Sequence, residues 1–222
     1  MEYRYDTHVH TSEASRCAKD TAAAQVRAYK ERGYTGIIIT DHFVHSWWQR
    51  LRLPWKAKMW RVASGYVAAK KEGKKCGLDV FFAWEISYYD SDFLTYGLDM
   101  DFLLAHPNLE ELTFPDYCDI VRKSGGFIVQ AHPYRDMHQL GNRSPVDPKS
   151  LDAIEVYNSS DSVESNEKAL AFAKKHNLPM QAGSDSHSVN HSPVSGVMLK
   201  NKADSIFDII DAIKAGNAEL IC

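Results

Sequence analysis

Residues 6–10 have the sequence Asp-Thr-His-Val-His, at the end of a short run in which polar and apolar residues alternate. In a β-strand, residues two positions apart point to the same face, so His8 and His10 are expected side by side, with Asp6 on that face too. Burying three polar side chains there is costly unless something binds them. The stretch leaves two interpretations open: a metal site, or a pair of exposed histidines in a loop.

Other predicted strands along the chain end in the same way. The segments ITDH, WEIS, AHP and GSDSH each place a histidine or a carboxylate after an apolar run. Between the strands, the spacing of apolar residues, capping residues and glycines predicts helices over 20–33, 56–75, 114–123, 162–177 and 203–216. Alternating helices and buried strands predict an α/β fold built on a parallel sheet or barrel.

The strand-end residues are expected to meet in space. In an α/β barrel the carboxyl ends of the strands converge on one rim, where the loops build the active site. Five of the chain's ten histidines fall at such ends. Imidazole and carboxylate ligands together suit zinc, manganese or iron. The pattern therefore favours a metal centre formed by His8, His10, His42, Glu85, His132, Asp185 and His187.

Length and composition limit the class of protein. The chain has 222 residues, 44% hydrophobic and 25% charged, which is ordinary for one globular domain. A net charge of -3 gives no general attraction to nucleic acid or to anionic membranes. Four widely spaced cysteines without a C-x-x-C pair suit a reducing cytosol. Because no apolar run approaches the ~20 residues of a membrane span, a cytoplasmic protein is expected.

Taken in order, the motifs DTHVHT, ITDH, WEIS, AHP and GSDSH resemble those of the PHP superfamily, the polymerase and histidinol phosphatase domains. The resemblance extends from Asp6 to the last predicted helix. It implies a distorted (β/α)7 TIM-like barrel that forms a single domain over residues 1–222. It also implies two or three divalent metal ions (manganese, zinc or iron) and hydrolysis of phosphoesters by metal-activated water.

The resemblance implies a role for each motif residue. One metal is held by His8, His10 and Asp185. Glu85 bridges that metal to a second, which His132 also binds. The remaining two, His42 and His187, are ligands of a third metal. Of these residues, Glu85 and Asp185 are also expected to act in catalysis.

Arg135, in the segment AHPYRD, is a further candidate for the active site. Its planar guanidinium suits a phosphate bound over the metals, which would give it a catalytic role. The alternative is a surface arginine that pairs with Asp136, an arrangement that is common and contributes little energy.

The chain departs from the family pattern at two positions. Where relatives have an Asp or His that completes the third site, this chain has Ser15. Three nearby residues are candidates to replace it, and the short reach of the first makes it the favourite: Glu13, Cys17 and Asp20.

The second departure follows the bridging glutamate. Relatives have a histidine there, whereas this chain offers Asp92 or His106. An acid at this position favours a harder ion such as manganese. The motifs therefore support two metals better than three.

Three functions remain open from the sequence. The first is a phosphoesterase that acts on a small phosphorylated metabolite. The second is a nuclease or phosphodiesterase on short oligonucleotides or RNA ends, because the aromatic and basic stretch over 43–60 suits stacking of bases. The third is a non-catalytic, metal-binding regulatory domain. Nucleic acid is expected only as a substrate, and the sequence does not indicate the oligomeric state.

Overall fold

Strands and helices alternate along most of the chain in the computed structural model, which describes residues 2–43, 53–107, 109–136 and 143–222. In chain order these residues form β1 (Tyr3–Val9), α1 (Ala22–Glu31), β2 (Gly36–Ile39), α2 (Trp55–Val62), α3 (Ser64–Cys76), β3 (Asp79–Phe82), β4 (Trp84–Tyr88), β5 (Ser91–Tyr96), α4 (Met100–Ala105), α5 (Phe114–Lys123), β6 (Phe127–Ala131), β7 (Ala153–Asn158), α6 (Val163–His176), β8 (Met180–Gly183), β9 (Gly196–Leu199), α7 (Ile206–Lys214) and β10 (Glu219–Ile221).

The strands of the described ranges form two five-stranded sheets. The first has the order β10-β9-β1-β2-β3 and the second the order β4-β5-β6-β7-β8. In the first sheet β1, β2 and β3 are parallel, while β9 and β10 run antiparallel to their neighbours. In the second, β4, β5 and β6 are antiparallel, and β6, β7 and β8 are parallel. Both sheets are therefore mixed, which the prediction of a parallel sheet did not include.

Local sequence explains where most elements begin and end. Helix α1 begins after Thr21, whose side chain accepts a hydrogen bond from the backbone N–H of Ala24. The chain leaves this helix through Gly33, which has a φ of 78°. The predicted helix over 56–75 is two helices, α2 and α3, which meet at Ala63.

The apolar run over 77–87 is also divided. It forms β3 and β4, which belong to different sheets. From β4 the chain turns through Tyr89 and Asp90, both with positive φ, into the antiparallel strand β5. Three elements were not predicted from the sequence: α4, β5 and β10.

Single bridges connect the two sheets, one between the last residue of β1 and the segment after β8, and one between the segment after β2 and the start of β4. Val9 pairs with Ser186, and His42 pairs with Glu85. The backbone N–H of Phe43 donates to the carbonyl of Glu85 at 2.6 Å. The α/β class is thus confirmed. The closed (β/α)7 TIM-like barrel is corrected to two open sheets in the described residues, because β3 pairs within the first sheet while β4, one residue later, pairs with β5 in the second.

The largest apolar side chains lie where the two sheets face each other and under the helices. Tyr5 of the first sheet and Tyr96 of the second belong to one buried cluster, which α7 closes with Ile209, Ile210 and Ile213. Burial of side chains of this size contributes about 1.5–3 kcal/mol each. This packing fixes the two sheets against each other and sets the positions of the strand ends.

None of the described helices combines the length and the apolar character that a membrane span requires.

Candidate metal centre

The side chains that follow the strands converge as the sequence predicted. Their nitrogen and oxygen atoms form three overlapping groups in which all ligand-capable atoms lie within 4.8 Å of one another. His8 belongs to two of the groups and His10 belongs to two, and their Nε2 atoms are 3.1 Å apart. The groups are His8, His10 and Asp185; His8, Glu85 and His132; and His10, His42 and His187.

Glu85 lies at the middle of these groups. Its Oε1 is 3.2 Å from His132 Nε2 and 3.4 Å from His8 Nε2. Its Oε2 is 2.7 Å from His42 Nδ1. Burial alone would raise the pKa of Glu85, but the charge of His42 and hydrogen bonds from His132 and His42 hold it well below its usual range. Glu85 is therefore a carboxylate, and its two oxygens face different imidazoles.

Asp185 faces the two histidines of the first motif. Its Oδ1 is 3.1 Å from His10 Nε2 and 3.4 Å from His8 Nε2. Burial opposes a charge on His8, but Asp185 and Glu155 raise the pKa of that histidine well above its ordinary value. Burial and the neighbouring His187 and His42 hold the pKa of His10 well below its ordinary value. A buried set of this composition fits divalent cations, because carboxylates balance the charge and imidazoles supply lone pairs.

Two of the candidate ligands have unusual backbone conformations. His132 has a φ of 29° and Asp185 a φ of 53°. Residues other than glycine avoid this region, and such conformations cost of order 1–3 kcal/mol where they occur. Packing and hydrogen bonds hold both residues in these conformations, just after β6 and β8, and both side chains then point to the centre.

Arg135 lies beside Asp185. Its Nη1 donates to Asp185 Oδ2 at 2.6 Å, and its Nε donates to Asp161 Oδ1 at 2.6 Å. Its Nη2 lies 3.3 Å from Asn158 Oδ1. The sequence placed Arg135 near the metals, and the structure locates its guanidinium next to a candidate ligand. Asn158, at the end of β7, belongs to the same network.

Glu155 is an important residue that the sequence analysis did not select. Its Oε1 is 3.1 Å from His8 Nδ1, and its Oε2 accepts a hydrogen bond from the backbone N–H of His132 at 3.0 Å. A Cβ at Gly183 would lie 2.5 Å from Glu155 Oε1, so glycine makes room for this contact. A buried acid in the apolar strand AIEVYN, like Glu85 in FFAWEIS, was the available signal.

Ser15 occupies the position where the family has a metal ligand. Its Oγ is 3.2 Å from His10 Nδ1 and donates to Asp41 Oδ1 at 2.7 Å. Burial raises the pKa of Asp41 to about 6, although hydrogen bonds from Thr11 and Ser15 lower it. Ser15 therefore supports His10 from behind and does not face the ligand atoms.

The three candidates to replace Ser15 have different positions. Glu13 Oε2 accepts a hydrogen bond from the backbone N–H of Ala22 at 2.9 Å, at the start of α1. Asp20 Oδ2 accepts a hydrogen bond from Val189 N–H at 2.9 Å. Neither carboxylate belongs to a ligand-capable group of the described residues.

Cys17 is the candidate that lies against the centre. Its Sγ is 3.2 Å from His42 Nε2 and 3.1 Å from His187 Nε2. Burial would raise the pKa of Cys17, but hydrogen bonds with His187 and His42 lower it to about 6. The preference for Glu13 in the sequence analysis is thus not supported by its position.

Of the two candidates after Glu85, Asp92 lies near the centre. Its Oδ2 is 3.8 Å from His132 Nε2 and is paired with Arg143. Arg143 Nη1 is also 3.1 Å from His132 Nδ1, which no motif in the sequence indicated. His106 instead hydrogen-bonds the carbonyl of Phe102 at 2.7 Å and packs on its ring.

The aromatic and basic stretch lies partly outside the described residues, since 44–52 are not among them. Of its remaining tryptophans, Trp55 donates a hydrogen bond to the carbonyl of Leu103 at 2.6 Å. Trp60 is 50% exposed. A role of 44–52 in binding bases stays a prediction.

The fold is of the α/β class, and its strand ends bring together histidines and carboxylates in groups that could hold metal ions. Residues 163–218 match the family model described as PHP-associated. No curated protein matches the chain. The match covers α6, α7 and the strands between them, including Asp185 and His187.

Solved structures resemble the whole chain. A two-domain protein from Bacteroides vulgatus, which contains a predicted PHP-like metal-dependent phosphoesterase, has a TM-score of 0.74 and 17% identity over 99% of this chain and 64% of its own. A predicted metal-dependent phosphoesterase from Bifidobacterium adolescentis has a TM-score of 0.57 and 17% identity over 96% of each chain. The lesion-specific endonuclease PfuEndoQ from Pyrococcus furiosus has a TM-score of 0.64 and 16% identity over 99% of this chain and 58% of its own.

The chain therefore spans less than two thirds of two of these proteins. At such identities the likeness shows the fold. This fold and the PHP-associated match confirm the resemblance to the PHP superfamily that the motifs indicated.

Proposed function

We propose that this chain is a single-domain, metal-dependent phosphoesterase that hydrolyses a small phosphorylated metabolite. One observation carries the proposal: seven side chains from both ends of the sequence converge in three overlapping ligand groups. The PHP-like fold supports the same conclusion, because similar structures include predicted metal-dependent phosphoesterases. The negative net charge of -3 favours a small substrate over a long nucleic acid.

The ligands are assigned from the three groups. His8, His10 and Asp185 hold one cation, and Glu85 bridges it to a second that His132 also binds. Support for the bridge comes from Glu85, whose Oε1 lies 3.2 Å from His132 Nε2 while its Oε2 lies 3.6 Å from His10 Nε2. One carboxylate can bind two cations at once, whereas a neutral imidazole binds one.

Manganese, zinc and iron fit this donor set, which mixes imidazole with carboxylate. Such cations activate water near neutral pH and neutralise charge on a phosphoryl group. With Asp185 as a ligand of the metal, Arg135 remains held by Asp161 at 2.6 Å. Its guanidinium then serves as the anion contact, with the planar geometry that phosphate oxygens require. Glu155 fixes the ring of His8 from the opposite side.

The experiment compares a nitrophenyl phosphate with its bis-ester, each with added manganese or zinc. We expect cation-dependent hydrolysis of the monoester, faster than that of the bis-ester, and its loss on chelation. Faster hydrolysis of the bis-ester would contradict a metabolite phosphatase and would indicate a diesterase or nuclease. Binding of two cations per chain without hydrolysis of any member of a phosphorylated metabolite panel would instead indicate the regulatory domain.

A further inference from the structure

Cys17 lies at the exposed edge of the centre, in the loop between β1 and α1. Its Sγ is 3.2 Å from His42 Nε2, which follows β2, and 3.1 Å from His187 Nε2, which follows β8. Three separate segments of the chain thus bring one sulfur and two imidazole nitrogens together. The same two histidines form a ligand-capable group with His10.

The hydrogen bonds on the far sides of the two rings set the direction of their lone pairs. His187 Nδ1 is 2.9 Å from the backbone carbonyl of Asp185, which can only accept, so Nδ1 carries the proton. His42 Nδ1 is 2.7 Å from the carboxylate oxygen Oε2 of Glu85, and the same argument applies. Both Nε2 atoms then face Cys17, so each ring can offer its Nε2 lone pair to a cation bound at this position.

One thiol cannot satisfy both nitrogens. An S–H group has a single proton, so it can donate to His42 or to His187 but not to both. The three atoms are satisfied either by a thiolate that accepts from a proton on each ring or by one cation that all three bind. A divalent cation does this with all three atoms as ligands, and mixed cysteine and histidine sets are typical of zinc.

The other candidates in this loop are bonded elsewhere. Glu13 accepts from the N–H of Ala22, Asp20 accepts from the N–H of Val189, and Ser15 donates to Asp41. Among the loop residues weighed for the third metal, Cys17 is the one whose side chain contacts His42 and His187, although, like Glu13 and Asp20, it is not a member of the three ligand-capable groups of the described residues.

We propose that Cys17, as a thiolate, joins His42 and His187 in holding a thiophilic divalent cation of the zinc class. This inference rests on the metal centre of the proposed function. It adds Cys17 as a ligand of the outer site, by which we mean the site of Cys17, His42 and His187, and it adds a metal selectivity to that site. A soft sulfur ligand favours zinc over manganese, whereas the buried site of imidazoles and carboxylates accepts either. The chain then carries two kinds of cation site, and the outer one discriminates between zinc and manganese.

Cobalt provides a readout that does not depend on activity, because a thiolate bound to Co²⁺ absorbs in the near ultraviolet. Metal-free protein, kept reduced with a phosphine, is titrated with Co²⁺ while absorbance and bound metal are measured. We expect the sulfur-to-cobalt band in the wild type and its loss in Cys17→Ser, together with one cation equivalent per chain. Cys222→Ser is the matched control, since Cys222 is an exposed free cysteine, and it should keep both.

A second variant separates loss of a ligand from loss of structure. Cys17→Asp replaces sulfur by oxygen, so it should bind the full number of cations without the band and should lose the preference for zinc over manganese. A band that survives in Cys17→Ser would overturn the proposal. Cobalt bound at the wild-type stoichiometry without a band would overturn it too and leave the phosphoesterase centre intact, whereas no bound cation at all would remove both.

Discussion

Glu85 has a position that no histidine of the centre could fill. It is 2% exposed, and each of its oxygens faces a different set of ring nitrogens. An unpaired carboxylate at such a depth would cost several kcal/mol, and cations offset that cost. The proposed bridging role therefore depends on the charge of Glu85 as well as on its shape.

Glu85→Gln tests this dependence, because glutamine keeps the shape and removes one negative charge. We expect one cation equivalent to be lost and turnover to fall by orders of magnitude, while the far-ultraviolet circular dichroism spectrum remains unchanged. Metal content and initial rates are measured beside Glu164→Gln, an exposed glutamate of α6. Wild-type metal content and rate in Glu85→Gln, with an inactive His132→Ala, would place the bridge elsewhere.

Glu155 acts through His8 and is a positioning residue. Its Oε1 is 3.1 Å from His8 Nδ1, so it keeps the proton on that nitrogen and leaves Nε2 to bind. Glu155→Gln should weaken cation affinity by about 10–100-fold, the usual effect of losing such a partner. Turnover at saturating metal should change much less than the metal concentration required for half activation. Equal losses in both, or none, would contradict the positioning role.

At the scale of elements, Glu13 supports a helix. Its carboxylate accepts from the first N–H of α1, beside Thr21, which caps the same helix. We expect Glu13→Ala to lower the free energy of unfolding by about 1 kcal/mol, as loss of a helix cap does, and to leave metal content unchanged. Urea unfolding and elemental analysis measure the two quantities.

Glu31, exposed at the last position of α1, is the matched control. An acid at a helix carboxyl end meets the negative end of the dipole, so Glu31→Ala should be neutral or slightly stabilising. A Glu13→Ala protein that loses a cation and keeps its stability would return Glu13 to the ligand set.

Most of the helices were predictable because their signals are local, with α4 and the division between α2 and α3 as the exceptions. Thr21 and Gly33 mark the ends of α1 by hydrogen bonding and by backbone conformation, both within a few residues. The division between β3 and β4 was not predictable, since the apolar run continues through Ala83 and no glycine or proline marks the break. There the strand pairing decides which sheet each half joins: β3 pairs with β2, and β4 pairs with β5.

The same distinction applies to the centre. Its seven strand-end side chains were predictable because apolar strands end at them in the sequence. Glu155 and Arg143 were not, because their roles arise from His8 and His132, which lie far away along the chain. The sequence favoured Glu13 over Cys17 and Asp20 for a similar reason, since the loop geometry decides which side chain faces His42 and His187, and it places Cys17 there.

At the scale of the whole molecule, the ligands come from both sheets. His8 belongs to β1 of the first sheet, while Glu85 belongs to β4 and Asp185 follows β8 of the second. Of the described residues, Val9–Ser186 and His42–Glu85 are the single bridges that connect the sheets near the centre. Cations bound here therefore stabilise the contact between the sheets as well as the site.

Chelation should lower the melting temperature of the metal-loaded protein. Free cation at about 1,000 times its Kd adds about 4 kcal/mol of stability, which corresponds to roughly 8–16 °C for a chain of this size. Calorimetry with and without chelator measures the shift. It should shrink in His10→Ala and persist in His176→Ala, an exposed histidine of α6. Equal melting temperatures with and without metal would contradict the cross-sheet role.

The position of β1 has a consequence for how the molecule is made. This strand lies between β2 and β9, and Asp6 accepts a hydrogen bond from Ser184, 178 positions further along the chain. Closing so long a loop is slow, so a strand synthesised early waits for partners synthesised late. Nascent chains that end before His187 then lack part of the candidate centre, and metal acquisition becomes a late event in its synthesis. Pulsed hydrogen exchange during refolding should protect the amides between β4 and β5 before those between β1 and β9, and the reverse order would contradict this sequence of events.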